Sequence, residues 1–126
     1  MDKLQTVTQS EWHVMELLWE SPRTLMELVN ALAEQKGWAK STVTTMVRRM
    51  DAKGLITYET QGRTKTFIPA VTREEAVLQE TDSLLRKAYN GSLGLLVSAM
   101  VQRNELTQSD IDELYAILKE AEAKDQ

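Results

Sequence analysis

The side chains best suited to recognition chemistry crowd into one stretch, Trp38-Ala39-Lys40-Ser41-Thr42-Val43-Thr44-Thr45-Met46-Val47-Arg48-Arg49-Met50. Val43, Met46, Val47 and Met50 recur at i, i+3, i+4 and i+7, the spacing of one apolar helix face. At 100° per residue the opposite side carries Ser41, Thr45 and Arg48, with Thr42, Thr44 and Arg49 on its flanks. Threonine is a poor helix former, so three of them near the start of an exposed helical face need a reason. Short hydroxyls and guanidinium groups suit the floor of a DNA major groove. Hydroxyls bond base edges or phosphates, the threonine methyl touches thymine, and arginine reads guanine bidentately. Taken alone, the helix is equally compatible with a solvated face that is merely rich in hydroxyls; the surrounding segments decide between the two.

Charge distribution favours the groove. The 126-residue chain carries a net charge of −4, which by itself argues against nucleic acid. Between Lys36 and Arg73, however, stand Lys36, Lys40, Arg48, Arg49, Lys53, Arg63, Lys65 and Arg73 against only Asp51 and Glu59. Eight basic against two acidic residues make a segment of +6, leaving −10 for the rest. A basic segment in an acidic chain is the footprint of a DNA-facing surface, and the acidic remainder helps orient the docked face.

The elements that must position these groups follow from local signals. Thr8-Gln9-Ser10-Glu11 is a capping box, and Trp12, Met15, Leu18 and Trp19 behind it mark a helix stopped by Ser21-Pro22. Thr24-Leu25-Met26-Glu27 is a second box, opening a helix with an apolar stripe of Leu25, Leu28, Val29 and Leu32 that Gly37 ends. The groove-type helix follows and closes at Lys53-Gly54. Periodicity then switches: Leu55–Glu59 and Thr64–Ile68 are rich in β-branched and aromatic residues, with Thr60-Gln61-Gly62-Arg63 as the turn and Pro69 as the stop. Three short helices and a basic-tipped hairpin predict a winged helix-turn-helix. Its third helix enters the major groove, while Arg63 and Lys65 meet the backbone or the adjacent minor groove.

The remainder reads as helices too short to fold alone. Thr72-Arg73-Glu74-Glu75 caps a helix with Leu84, Leu85 and Tyr89 that Asn90-Gly91 ends. A second helix holds Leu93, Leu95, Leu96, Val97, Met100 and Val101, apolar over more than one face. Thr107 to Asp110 caps a last one with Ile111, Leu114, Tyr115 and Leu118. Such stripes are buried only against one another or against a second copy. The expectation is a mainly α protein with a small hairpin wing: a winged-helix DNA-binding domain over residues 1–71 and a helical dimerisation domain over 72–126. The homodimer is held by Leu85, Tyr89, Leu93, Leu96, Val97, Met100, Ile111, Leu114 and Leu118. Twofold pairing would present two recognition helices to a palindromic operator in double-stranded DNA.

With these elements in place, the chain resembles the BlaI/MecI/CopY family of bacterial repressors, the penicillinase-repressor family. The likeness is carried by Thr8 to Trp19, Gly37 to Met46, Lys53 to Ile56, Gly62-Arg63, Tyr89 to Leu93 and Asp110 to Tyr115, and runs from about residue 5 to residue 119. No single motif decides it; their order together is specific. The resemblance implies a winged-helix domain, a C-terminal dimerisation domain and repression from a palindromic operator over a promoter. In the antibiotic-sensing branch it also implies a membrane metalloprotease receptor that triggers cleavage of an Asn-Phe bond in the C-terminal domain. The corresponding pair here is Ala99-Met100. In the copper-sensing branch a pair of Cys-x-Cys motifs binds metal, and this chain has no cysteine.

Other residues carry plainer expectations. His13 is the only histidine, and a metal site needs several converging ligands, so neither metal nor cofactor is expected. Trp12, Trp19 and Trp38 suit core packing better than an aromatic cage. Gly91-Ser92-Leu93-Gly94 follows no strand and lacks the lysine of a P-loop. No nucleophile–base pairing supports an enzyme. No run is long and apolar enough to span a bilayer, and no signal-peptide pattern opens the chain, so a cytoplasmic protein without membrane insertion is expected. The competing function class is a winged-helix protein–protein adaptor, but an adaptor has no need of a +6 segment.

Overall fold

A computed structural model describes residues 7–125. Its elements run α1 (Gln9–Glu20), β1 (Arg23–Thr24), α2 (Leu25–Lys36), α3 (Lys40–Lys53), β2 (Ile56–Gln61), β3 (Thr64–Pro69), α4 (Arg73–Tyr89), α5 (Leu93–Gln102) and α6 (Gln108–Lys124). The fold is mostly helical with one small antiparallel sheet, strand order β1-β3-β2.

Local chemistry places the helix boundaries. At Thr8, Thr24, Thr72 and Thr107 the hydroxyl accepts from the amide three residues on, and the acidic side chain there accepts from the threonine amide in return. Each reciprocal pair satisfies two amides that a helix start otherwise leaves unpaired. Gly37 and Gly54 end α2 and α3 at φ +72° and +81°, a region a β-carbon disfavours.

Two compact units result, one ending at Thr81 and the other beginning at Asp82. The expected boundary lay at 71/72. It is displaced because α4 starts as part of the first unit: Ala76 is buried there, and Arg73 bonds Glu16 of α1 at 2.7 Å. The core of the first unit joins Val14, Met15 and Leu18 of α1, Leu28 and Leu32 of α2, Val43, Val47 and Met50 of α3, and Leu55, Ile56 and Phe67 of the hairpin. The helix face predicted for α3 is therefore the buried one. Trp12 and Trp19 lie edge-to-face at 5.5 Å against this core, and His13 lies edge-to-face on Trp38 at 5.8 Å.

The sheet departs from expectation in two places. β1, two residues long, pairs Arg23 with Phe67 and Thr24 with Thr66, making β3 the central strand. The hairpin is also longer than expected. Gln61 pairs with Thr64, so the turn contracts from four residues to Gly62-Arg63, with Gly62 at φ +63°. Pro69 ends β3 as a paired residue opposite Ile56. It is tolerated because β1 does not extend that far, and no neighbour needs its missing N–H.

One ion pair ties the groove-type helix to its support. Glu11 is 2% exposed, and Lys53 at the end of α3 bonds it at 2.8 Å. Burial pushes the Glu11 carboxyl up, but hydrogen bonds from Lys53 and the Thr8 amide, with the Lys53 charge, outweigh it and hold the group below its ordinary value. Glu11→Ala removes half of a capping box and strands the Lys53 ammonium, an expected loss of roughly 2–4 kcal/mol in urea unfolding. The pH dependence has a definite sign. A carboxyl depressed in the folded state stabilises fully above its unfolded value of about 4.3, and the stabilisation is lost as pH falls through the depressed value. Glu11→Gln should flatten this acid limb; a limb of unchanged steepness would assign it to other carboxylates.

The second unit is described by itself. Asn90 and Gly91 both take left-handed φ, at 53° and 78°, and Gly91 donates back to the Leu85 carbonyl at 2.8 Å, ending α4 sharply. Neither α5 nor α6 contains a buried residue.

Candidate nucleic-acid interface

α3 presents its polar ridge outward. Lys40, Ser41, Thr42, Thr45, Arg48 and Arg49 are exposed and Thr44 is half-buried, while Val43, Val47 and Met50 fill the core beneath. The ridge has two sides. Ser41, Thr42, Thr45 and Arg49 border a shallow depression with Met46, whereas Thr44 and Arg48 face a groove shared with the hairpin. Thr44 differs from the other hydroxyls: it donates to the Lys40 carbonyl at 2.9 Å, so its proton is already engaged.

The hairpin carries the rest of the positive surface. Arg63 sits in its turn and Lys65 on β3, both exposed. The Lys65 ammonium lies 4.4 Å from the centre of the Tyr58 ring, and Tyr58 lies edge-to-face on Phe67 at 5.9 Å. Phe67 is buried, so this stack roots a surface cation in the core.

Pairing separates the basic residues into two sets. Lys53 is bonded to Glu11. Arg73 is bonded to Glu16, which also accepts from the Trp12 indole at 2.9 Å. The Arg73 hydrogen bond is the main cause holding the Glu16 carboxyl below its ordinary value, and the same bond raises Arg73. These two cations hold the fold together. Lys36, at the end of α2, and Lys40, Arg48, Arg49, Arg63 and Lys65 have no carboxylate partner among the described residues. The basic footprint is thus smaller than the eight residues counted between positions 36 and 73, and what remains free is concentrated on α3 and the hairpin.

Sequence reading had no local signal for Met26, Tyr58 or Phe67, which the fold brings beside Thr44, Arg48, Arg63 and Lys65. The residues expected to pair two copies fall into two groups. Leu93, Met100 and Leu118 are exposed, whereas Leu85, Tyr89, Leu96, Val97, Ile111 and Leu114 are half-buried. Leu84, Leu95, Val101 and Tyr115 of the same apolar stripes are exposed too, and so is Ile117. Ala99-Met100 lies within α5. Among the described residues no helix is long and apolar enough to cross a membrane.

Comparison with known proteins agrees with this geometry. The family model described as the penicillinase repressor matches residues 7–120. A penicillinase repressor of Bacillus licheniformis is 28% identical over 121 residues, covering 95% of this chain and 94% of that protein. The solution structure of the DNA-binding domain of the repressor BlaI superimposes with a TM-score of 0.53 at 25% identity, over 60% of this chain and 93% of that one. The Bacillus licheniformis BlaI monomer in complex with the blaP half-operator gives a TM-score of 0.51 at 25% identity, with the same coverage of both chains. Fold and family are those of transcriptional repressors rather than enzymes, and the chain belongs to the penicillinase repressor family.

Proposed function

We propose that this repressor acts in the cytoplasm as a homodimer on a palindromic operator, with α3 of each copy in the major groove and the hairpin on the flanking backbone. The observation that carries the reading is the outward ridge of hydroxyls and guanidinium groups on α3, continuous with cations that have no ion-pair partner among the described residues. Arg48 and Thr45, at the crest, suit base edges, with Ser41, Thr42, Thr44 and Arg49 beside them. Lys40, Arg63 and Lys65 suit phosphates. The BlaI complex with a half-operator supports DNA as the ligand.

Pairing through the second unit is supported by its surface. Leu93, Leu95, Val101, Tyr115, Ile117 and Leu118 are each more than half exposed. A small helical unit that leaves so much apolar surface wet gains little on folding alone and more on covering it with a second copy. If a membrane metalloprotease receptor triggers release, Ala99-Met100 is the bond to be cut. It sits in a helix without buried residues, which opens at low cost, and its loss would separate α6 from the rest.

A salt titration of the full chain on duplex DNA tests the reading. Affinity should fall steeply as salt rises, because each neutralised phosphate releases counterions. Lys65→Ala should reduce the slope by about 1 per half-site without relaxing sequence preference. Retention of the wild-type slope would remove Lys65 from the phosphate contacts, and a chain indifferent to duplex DNA would favour a protein–protein adaptor.

A further inference from the structure

Between the α3 ridge and the hairpin lies an open groove of about 530 Å³, within the roughly 300–1,000 Å³ range of small-molecule sites. Its apolar surface comes from Met26 at the start of α2, Val47 of α3, and Tyr58 and Phe67 of the hairpin. Phosphate contacts do not need such a floor, since duplex DNA presents charged oxygens and sugars at its edge. Arg48, Arg63 and Lys65 border the groove against a single carboxylate, Asp51. Neither arginine is engaged in an ion pair among the described residues. The exposed Tyr58 and Met26 beside free guanidinium groups match a flat apolar body bearing one carboxylate, which arginine holds through two parallel hydrogen bonds.

We propose that this groove binds a small aromatic carboxylate, and that its occupant excludes operator DNA by engaging Arg48 and Arg63 from the side. The exclusion rests on the DNA-binding reading above; the binding does not. Met26 offers a clean lever, being 49% exposed at the second position of α2. A glutamate there suits a helix N-terminus, so Met26→Glu should fold while placing a second carboxylate at the groove.

The test is a titration of the isotope-labelled full chain with 2-naphthoate, followed by amide chemical shifts. Expected are saturable shifts at Thr44, Val47, Tyr58 and Phe67. Affinity should drop by about tenfold or more both for uncharged 2-naphthol and for the Met26→Glu chain. Shifts confined to residues 82–125 would overturn the proposal, because the exposed apolar helices would then be the binder. Equal binding of 2-naphthol, or undiminished binding by a folded Met26→Glu chain, would overturn it as well. A second arm adds duplex DNA. Displacement of bound duplex by 2-naphthoate supports the exclusion, and a ternary complex overturns it. Duplex binding without naphthoate binding sinks the groove alone, whereas naphthoate binding by a chain that ignores duplex DNA sinks the reading of the preceding section.

Discussion

Removing everything beyond Thr81 is expected to leave a folded, monomeric winged helix that binds its operator about 10²–10⁴-fold more weakly than the full chain. The loss comes from effective concentration rather than from contacts. In the dimer the first half-site engagement holds the second recognition helix beside its target, and without the link each half-site binds alone. The cut belongs after Thr81 and not at the start of α4. Ala76 is buried in the first unit, the Thr72 and Glu75 capping pair starts the helix, and Arg73 bonds Glu16 while its guanidinium lies 5.3 Å from the Trp19 ring centre. A truncation after Ala70 would strip all of these and confound instability with loss of pairing. Sedimentation and mobility shift on the same samples check the expectation. A full chain that is monomeric at micromolar concentration, or a truncated chain of undiminished affinity, would remove the dimer from the account.

Arg48→Ala should carry the largest single-residue effect on specific binding. A guanidinium bidentate to a guanine contributes about 1–3 kcal/mol of discrimination per half-site, hence roughly 2–6 kcal/mol over a twofold operator. Arg48 is exposed on the α3 crest, one turn after Thr45, and is in no ion pair among the described residues. The substitution leaves the core untouched, since the buried face of α3 is Val43, Val47 and Met50. Operator and scrambled duplex must be measured together. A loss restricted to the operator marks base readout; an equal loss on both would make Arg48 a phosphate contact.

What the sequence makes legible is what local chemistry determines. The capping pairs at Thr8, Thr24, Thr72 and Thr107 lie three residues apart, and the α3 stripe repeats with the helix, so both are visible before folding. β1 is not, because two residues cannot display an alternation. The Glu11–Lys53 pair spans 42 positions, and nothing local links them. Lys53 and Arg73 consequently look like part of a DNA footprint when their charges serve the fold. The groove was hidden for the same reason: Met26, Tyr58 and Phe67 come from three elements that only tertiary packing brings beside α3. In the second unit the apolar richness of α5 is plain from the sequence. Which apolar residues are half-buried and which are exposed depends on how α5 and α6 lie within their own unit.

If α3 and the hairpin grip duplex DNA twice over, about a twofold axis, the full chain must select a palindrome. Selection of bound duplexes from a random-sequence pool by the full chain tests it most directly. The expected result is enrichment of a palindrome whose half-sites are spaced by about one helical turn or a multiple of it, with the enrichment lost for Arg48→Ala. Recovery of no preferred sequence, or of a single asymmetric site bound equally well by the Arg48→Ala chain, would contradict it.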